Sequence, residues 1–189
     1  GAIVECGWFL AKLRSMQPKA KIIYIEGNHD YRFKTAVINN LPAMHKLGTW
    51  DKPEISVISL GYLLSLHSLN IEYIAGKANN VYWADDIRYE HGAIARAGAG
   101  GTAKAVLDKS VEHRVFGHIH RIELLKRTVH ERKSIHTISS YCPGCLCKID
   151  GTVPGADYPQ WQHGFGIISI HDETVFINPY EIVDYKLLY

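Results

Sequence analysis

Short apolar runs that stop at polar, glycine-containing loops constrain the fold of this chain more than any other feature. The run at residues 22–25 leads into Gly-Asn-His-Asp at residues 27–30, and the run at 115–116 leads into Gly-His-Ile-His at 117–120. His91 and Gly92 follow a third run at residues 87–90. Ligand sites collect at the strand ends of α/β sheets, and glycine allows a positive φ or a close approach of backbone to a ligand. The pattern therefore predicts an α/β sheet with polar side chains gathered at the ends of its strands.

The order of predicted elements is helix–strand–helix first, and then mostly strands with one further helix. Residues 3–16, 31–47 and 103–109 are expected to be helical, and Thr102 is expected to cap the third helix. Strands are expected at residues 21–26, 55–60, 62–67, 71–74, 87–90, 114–116, 122–125, 134–139, 165–171 and 174–178. This order is typical of α/β layers that close onto a β-rich half, so we expect one domain over residues 1–189.

Composition excludes two broad classes of protein. The chain has 189 residues, of which 47% are hydrophobic and 21% charged, as in ordinary globular domains and unlike disordered chains. No apolar run approaches the length of about 20 residues that a membrane-spanning helix needs, so no membrane partner is expected. A net charge of +2 permits contact with nucleic acid without arguing for it.

Histidine is abundant, with 11 copies, and several copies lie where a metal site would need them. His118 and His120 are two residues apart in a loop that leaves a strand, where both imidazoles can reach one cavity. Neutral imidazoles suit Zn, Fe, Ni or Cu, and Mn is added when oxygen ligands such as the Asn28 carbonyl are present. His29 is a candidate ligand or proton donor, and Asp30 could orient its ring. Each motif taken alone also fits a simple turn or a surface histidine.

Taken together and in this order, the three loops resemble the calcineurin-like metallophosphoesterase family. The resemblance covers residues 21–121, and the segments Gly-Cys-Leu at 144–146 and Trp-Gln-His-Gly-Phe at 161–165 resemble its bacteriophage-type branch. The fold it implies is an α/β sandwich of two packed mixed β-sheets flanked by helices, with the first strand or strands missing here. The activity it implies is hydrolysis of phosphomonoesters or phosphodiesters, with nucleic acid or a nucleotide as a candidate substrate.

The resemblance also implies a site that holds two divalent metal ions, with Mn, Fe, Zn and Ni as the candidates. It assigns to one ion Asn28, His91 and His118, and to the other ion His120. Two such ions about 3.5–4 Å apart supply a hydroxide nucleophile and neutralise the phosphoryl oxygens. His67 also ends an apolar run and competes with His91, but it lacks a following glycine.

Other residues near these motifs are expected to assist the reaction. By its match to the family, His29 is the general acid that protonates the leaving oxygen. Asp30 would hold that imidazole, and Arg32 and Arg121 are candidate contacts to phosphate because guanidinium suits phosphate geometry.

The chain departs from the family at its beginning. The family pattern has an Asp-x-His and a Gly-Asp-x-x-Asp ahead of Gly-Asn-His-Asp, and neither occurs in this sequence. We therefore expect an N-terminally truncated domain that binds metal poorly and is inactive by itself. The alternatives are a non-catalytic scaffold that keeps the fold, or a metal or redox protein built on Cys142, Cys145 and Cys147. The four cysteines make a poor disulfide framework and no leader is recognisable, which predicts a cytoplasmic protein, in the host cytoplasm if phage-encoded.

Overall fold

The computed structural model describes residues 1–76, 80–132, 134–149 and 160–188. The chain is a mixed α/β protein with several sheets and few helices, and it divides into two compact units, Gly1–Asn80 and Val81–Tyr189. Within the described ranges, no helix combines the length and the apolar character required to cross a membrane.

The first unit combines three helices with a two-stranded sheet. Its elements are α1 (Ala2–Met16), β1 (Ile22–Ile25), α2 (Asn28–Asn40), α3 (Leu60–Leu63) and β2 (Ile71–Ile74). β1 and β2 are parallel, with Ile22 opposite Ile71, and the predicted strand at residues 71–74 is confirmed. A cluster of buried apolar side chains holds these elements together, and its fully buried members are Leu10, Leu64, Leu66 and Ile71.

The predicted strands at residues 55–60 and 62–67 are wrong. The first segment is a loop that runs into α3, and α3 ends in a tight C-terminal turn. In that turn Leu66 N–H donates to the Gly61 carbonyl (2.9 Å), Ser65 N–H donates to the Tyr62 carbonyl (2.9 Å), and Ser65 has φ 55°. This is the Schellman arrangement, in which one residue turns left-handed after the helix. Leu64 and Leu66 are both buried while Ser65 between them is exposed, so the turn reproduces the alternation that is typical of a strand.

The second unit contains most of the strands. Its elements are β3 (Val81–Ala84), β4 (Ile87–Glu90), α4 (Gly101–Leu107), β5 (His113–Phe116), β6 (Ile122–His130), β7 (Ile135–Pro143), β8 (His163–His171), β9 (Thr174–Val183) and β10 (Lys186–Leu188). A five-stranded mixed sheet has the order β3-β4-β5-β7-β6, in which β4, β5 and β7 run parallel. A three-stranded sheet has the order β10-β9-β8 and is antiparallel, whereas the resemblance implied two mixed sheets.

β7 shows how the layers of the second unit pack, because successive side chains of a strand point to opposite faces. Ser140 Oγ donates to the Ala103 carbonyl of α4 (2.9 Å), whereas the Tyr141 hydroxyl donates to the Phe165 carbonyl of β8 (2.9 Å). α4 therefore covers one face of the five-stranded sheet and the three-stranded sheet approaches the other. Gly166 is required at this contact, because a Cβ there would lie 2.5 Å from the Tyr141 ring.

Thr102 is not the cap of α4, contrary to the sequence prediction. The residue before the helix is Gly100, with φ 73°, and Thr102 is buried in the first turn. Its Oγ1 accepts a hydrogen bond from Arg96 N–H at 2.9 Å. The hydroxyl therefore ties the preceding loop to the helix, and the glycine provides the left-handed entry that a threonine would adopt only at a cost.

Candidate functional site

The predicted metal ligands are divided between the two units of the chain. Asn28 and its neighbours His29 and Asp30 begin α2 in the first unit, whereas His91, His118 and His120 all belong to the second. That Asn28 shares an ion with the histidines stays a prediction.

The loop at residues 27–30 is shaped by a carboxylate that closes the start of α2. Asp30 Oδ2 accepts a hydrogen bond from Gly27 N–H at 2.9 Å and one from the Tyr24 hydroxyl at 3.2 Å. An acidic residue in the first turn of a helix satisfies a free N–H and complements the helix dipole. Asp30 therefore stabilises the beginning of the helix at Asn28, three residues earlier than the sequence predicted. Its Oδ2 accepts from Gly27 and Tyr24, and not from His29 as predicted. Asn28 is half-buried and His29 is exposed in the first turn.

Two tyrosines next to this loop remain protonated. Burial raises the pKa of Tyr24, and the negative charge of Asp30 raises it further. Burial and the nearby Glu26 carboxylate raise the pKa of Tyr73 in the same direction. The rings of the two tyrosines pack with their centroids 5.8 Å apart. Both phenols can therefore act as hydrogen-bond donors to carboxylates beside the Gly-Asn-His-Asp loop.

His91 and His118 lie side by side because their strands are neighbours. β4 and β5 are parallel, with Glu90 opposite Phe116, so the residues that follow each strand leave the same edge of the sheet. Gly117 N–H donates to the His91 carbonyl at 3.0 Å and joins the two loops. The imidazole centroids are 5.3 Å apart, with the rings inclined at 71°.

His118 has a strained backbone conformation. The sequence analysis expected a glycine to adopt the positive φ in this loop. Its φ is 75°, and Ile119 N–H donates to the Gly117 carbonyl at 3.0 Å, which makes His118 the centre of a three-residue γ-turn. A γ-turn with positive φ is rare and strained. Gly92 does adopt a positive φ, at 83°, but Gly117 does not, because the turn falls one residue later. His120 is also left-handed, with φ 59°.

Residues 161–162, which come directly before β8, support the loop that carries His120. The His120 ring meets Trp161 edge-on, with centroids 4.2 Å apart. Gln162 N–H donates to the His120 carbonyl at 2.9 Å, and its side-chain oxygen accepts from Ile122 N–H at 3.0 Å. The sequence analysis noted the Trp-Gln motif but missed that Gln162 supports the His120 loop. In the sequence, the only local sign of such a role is the amide side chain itself.

The two arginines predicted to contact phosphate differ in their surroundings. Arg121 donates to the carbonyl oxygens of Arg96 (2.8 Å) and Ala97 (3.1 Å), and it forms an ion pair with buried Glu123 at 3.0 Å. The guanidinium therefore anchors the loop that precedes α4. Arg32 lies exposed on α2, one turn from its beginning. A phosphate contact by either residue stays a prediction.

The imidazoles of His91 and His118 are the type of ligand that divalent transition metals bind. Metal–nitrogen bonds are about 2.1 Å long, so one ion can reach a nitrogen of each ring when imidazole centroids are 5.3 Å apart, as they are for His91 and His118. Among the described residues, no group of three or more His, Cys, Asp or Glu side chains is arranged to hold a metal. That Asn28 or His120 supplies a further ligand stays a prediction.

Two cysteines of the cluster at residues 142–147 have raised pKa values. Burial raises the pKa of Cys142 to about 11, and burial together with the neighbouring Cys147 thiol raises that of Cys145 to about 12. The thiolate is the reactive form, so the raised pKa values do not favour redox chemistry at Cys142 and Cys145. A metal site built on the cysteines stays a prediction. His163 points its Nε2 at the Cys147 carbonyl, 2.7 Å away.

Comparison with models of protein families, with curated proteins and with solved structures finds no match to this chain. The resemblance to metallophosphoesterases therefore rests on the motifs at residues 27–30, 91–92 and 117–120.

Proposed function

We propose that this protein is a metal-dependent hydrolase of phosphoester bonds. The observation that carries the proposal is the pair formed by His91 and His118 at the shared edge of two parallel strands. That edge is where α/β proteins place their ligand sites, and imidazole is the commonest metal ligand among side chains.

The strain at His118 supports a functional reading of this pair. A residue other than glycine in a sparsely populated backbone region costs about 1–3 kcal/mol, and such residues cluster at binding and catalytic sites. Here the γ-turn at His118 is followed two residues later by a second left-handed histidine, His120. Glycine at either position would relieve the strain, so an imidazole at both is best explained by a need for the side chain.

The residues divide into metal-holding and proton-transferring roles. Asn28, His91 and His118 would hold one divalent ion and His120 a second, chosen from Mn, Fe, Zn and Ni. When bound, such ions supply a nucleophile at neutral pH and neutralise charge on the phosphoryl oxygens. His29, exposed in the first turn of α2, would give a proton to the leaving oxygen. Asp30 starts the helix that carries Asn28 and His29.

The proposed fold is the metallophosphoesterase sandwich, with β-sheets packed together and helices outside. The helix–sheet–sheet order of the second unit supports it, because α4 and the three-stranded sheet cover opposite faces of the five-stranded sheet. The proposed substrates are phosphomonoesters or phosphodiesters, with nucleic acid or a nucleotide as the candidate. That last choice rests on the resemblance of residues 144–146 and 161–165 and not on the geometry of the site.

The proposal is tested by hydrolysis of p-nitrophenyl phosphate and bis(p-nitrophenyl) phosphate with each candidate metal. The assay uses this chain and the product of the complete gene that encodes it, because two motifs of the family pattern do not occur in this sequence. His118→Ala should lose both bound metal and turnover. His29→Ala should keep nearly all of its metal and lose turnover, because it removes only the proton donor. His130→Ala, which removes an exposed imidazole at the end of β6, serves as the control and should change neither quantity.

Two results would overturn this assignment. One is the absence of metal-dependent turnover in both proteins, which would favour the non-catalytic scaffold. The other is a His118→Ala protein with its metal content and turnover intact, which would remove the observation on which the proposal depends. Loss of metal from His29→Ala would instead contradict the role given to His29.

A further inference from the structure

The first unit contains a cavity that the proposed hydrolase does not use. Its volume is about 600 Å3, within the range of about 300–1,000 Å3 that is typical of small-molecule sites. Polar side chains around it include Thr49, Lys52, Ser59, Ser65 and His67. All of its lining residues lie between Thr49 and Tyr73, so the cavity belongs wholly to the first unit.

Two residues of the lining, a lysine and a histidine, are paired with each other. Lys52 Nζ lies 3.3 Å from His67 Nδ1. An ammonium group only donates, so Nδ1 must be the acceptor and the proton of a neutral His67 must lie on Nε2. Within the described ranges, Lys52 has no carboxylate partner at ion-pair distance. The Asp51 carboxylate also lines the cavity, and the Thr49 hydroxyl lowers its pKa, as the Lys52 charge does to a smaller extent. The pair therefore brings positive charge and a second N–H donor to the same cavity.

Ser65 lines the cavity from a backbone position that favours glycine. It is the left-handed residue of the turn that ends α3, where glycine is the usual choice because it lacks a Cβ. Glycine would adopt this backbone conformation at a lower energy than serine. The serine adds a hydroxyl to the lining, close in sequence to His67 and to a further lining hydroxyl, that of Ser68.

The rest of the lining is apolar or aromatic. It consists of Gly61 and the side chains of Ile55, Tyr62, Leu66, Ile71 and Tyr73. A ligand that fills the cavity must therefore have an apolar or aromatic body in addition to an anionic group.

We propose that this cavity binds a small phosphate monoester with an aromatic body, with its phosphate at Lys52, His67 and Ser65. A phosphate group offers three strong acceptor oxygens, which match an ammonium, an imidazole N–H and hydroxyl donors. The apolar lining takes the aromatic body. The site is separate from the proposed metal ligands and does not depend on them.

The test is a titration with phenyl phosphate in which the amide chemical shifts of the protein report binding. EDTA is present so that no metal site contributes. Lys52→Met should weaken binding about tenfold or more, because it removes a charged hydrogen-bond donor. Lys46→Met removes the same charge from an exposed lysine outside the cavity and should leave the affinity unchanged. Ser65→Gly should weaken binding while the melting temperature stays the same or rises, a combination that structural damage would not produce.

Three probes and one further variant decide the outcome. Benzyl alcohol should bind far more weakly than phenyl phosphate, and equal binding would overturn the anionic character of the site. Inorganic phosphate should also bind more weakly, and equal binding would overturn the role of the apolar lining. His118→Ala should bind phenyl phosphate as the wild type does, which separates this site from the proposed metal centre. Absence of binding, or binding that Lys52→Met leaves unchanged, would refute the proposal.

Discussion

The γ-turn at His118 makes a prediction about stability that depends on backbone geometry alone. Replacing His118 with alanine removes the imidazole and keeps the strain, whereas replacing it with glycine removes both. His91 is the matched control, because it lies in the same cluster and its φ is not positive. The same pair of substitutions there changes the side chain without any strain to relieve.

The expected magnitudes follow from two opposing effects. A residue other than glycine in such a conformation costs about 1–3 kcal/mol, and glycine loses about 0.5–1 kcal/mol more than alanine through the entropy of the unfolded chain. His118→Gly should therefore be more stable than His118→Ala by up to about 2.5 kcal/mol. At His91 the order should reverse, with glycine less stable than alanine by about 0.5–1 kcal/mol. Subtracting one difference from the other leaves the strain energy itself, about 1–3 kcal/mol.

The measurement is urea unfolding of the four variants without metal, with tryptophan fluorescence as the signal that reports unfolding. The slopes of free energy against urea must agree among the variants for the differences to be read as stability changes. All four variants should lack tightly bound metal, since each has lost an imidazole of the pair. If glycine and alanine rank in the same order at both positions, His118 is not strained, and the functional argument from strain fails.

Two further predictions concern groups beside the candidate site and in the cysteine cluster. Asp30→Ala should lower the free energy of unfolding by about 1–2 kcal/mol in urea titrations, because Gly27 N–H and the Tyr24 hydroxyl both lose their acceptor; Asp30→Asn, which keeps an oxygen, should recover part of the loss, and unchanged stability in Asp30→Ala would contradict the capping role. Alkylation by iodoacetamide at mildly alkaline pH, with mass spectrometry as the readout, should modify exposed Cys147 first. Cys142 should react last because its side chain is fully buried and out of reach of the reagent, whereas Cys145 is only partly buried. Equal rates for the three thiols would show that Cys142 is not held as a buried thiol.

Local sequence patterns predicted the regular elements well where the pattern had one physical cause. The apolar spacing of residues 3–16 predicted α1, and the β-rich run at residues 21–26 predicted β1. Glycine after each of two parallel strands drew attention to His91 and His118 before their strands could be shown to pair. These predictions hold because helix periodicity and strand propensity act within a few residues of the chain.

Elsewhere, local patterns had two possible causes and the wrong one was chosen. The apolar run at residues 62–67 predicted a strand, but a left-handed Ser65 buries Leu64 and Leu66 in a helix-ending turn. Thr102 fits the composition of a cap, yet its hydroxyl accepts from Arg96 in the preceding loop.

Composition, strand ends and the set of chemically capable side chains were legible in the sequence, because each is a property of a residue and its nearest neighbours. Only the tertiary structure showed that β4 lies beside β5, that the positive φ falls on His118 and not on Gly117, and that Gln162 braces the loop carrying His120. The cavity with Lys52 and His67 likewise depends on residues 15 positions apart. Contacts of this kind arise when distant segments pack together, and their partners leave no signal within the local stretch of chain.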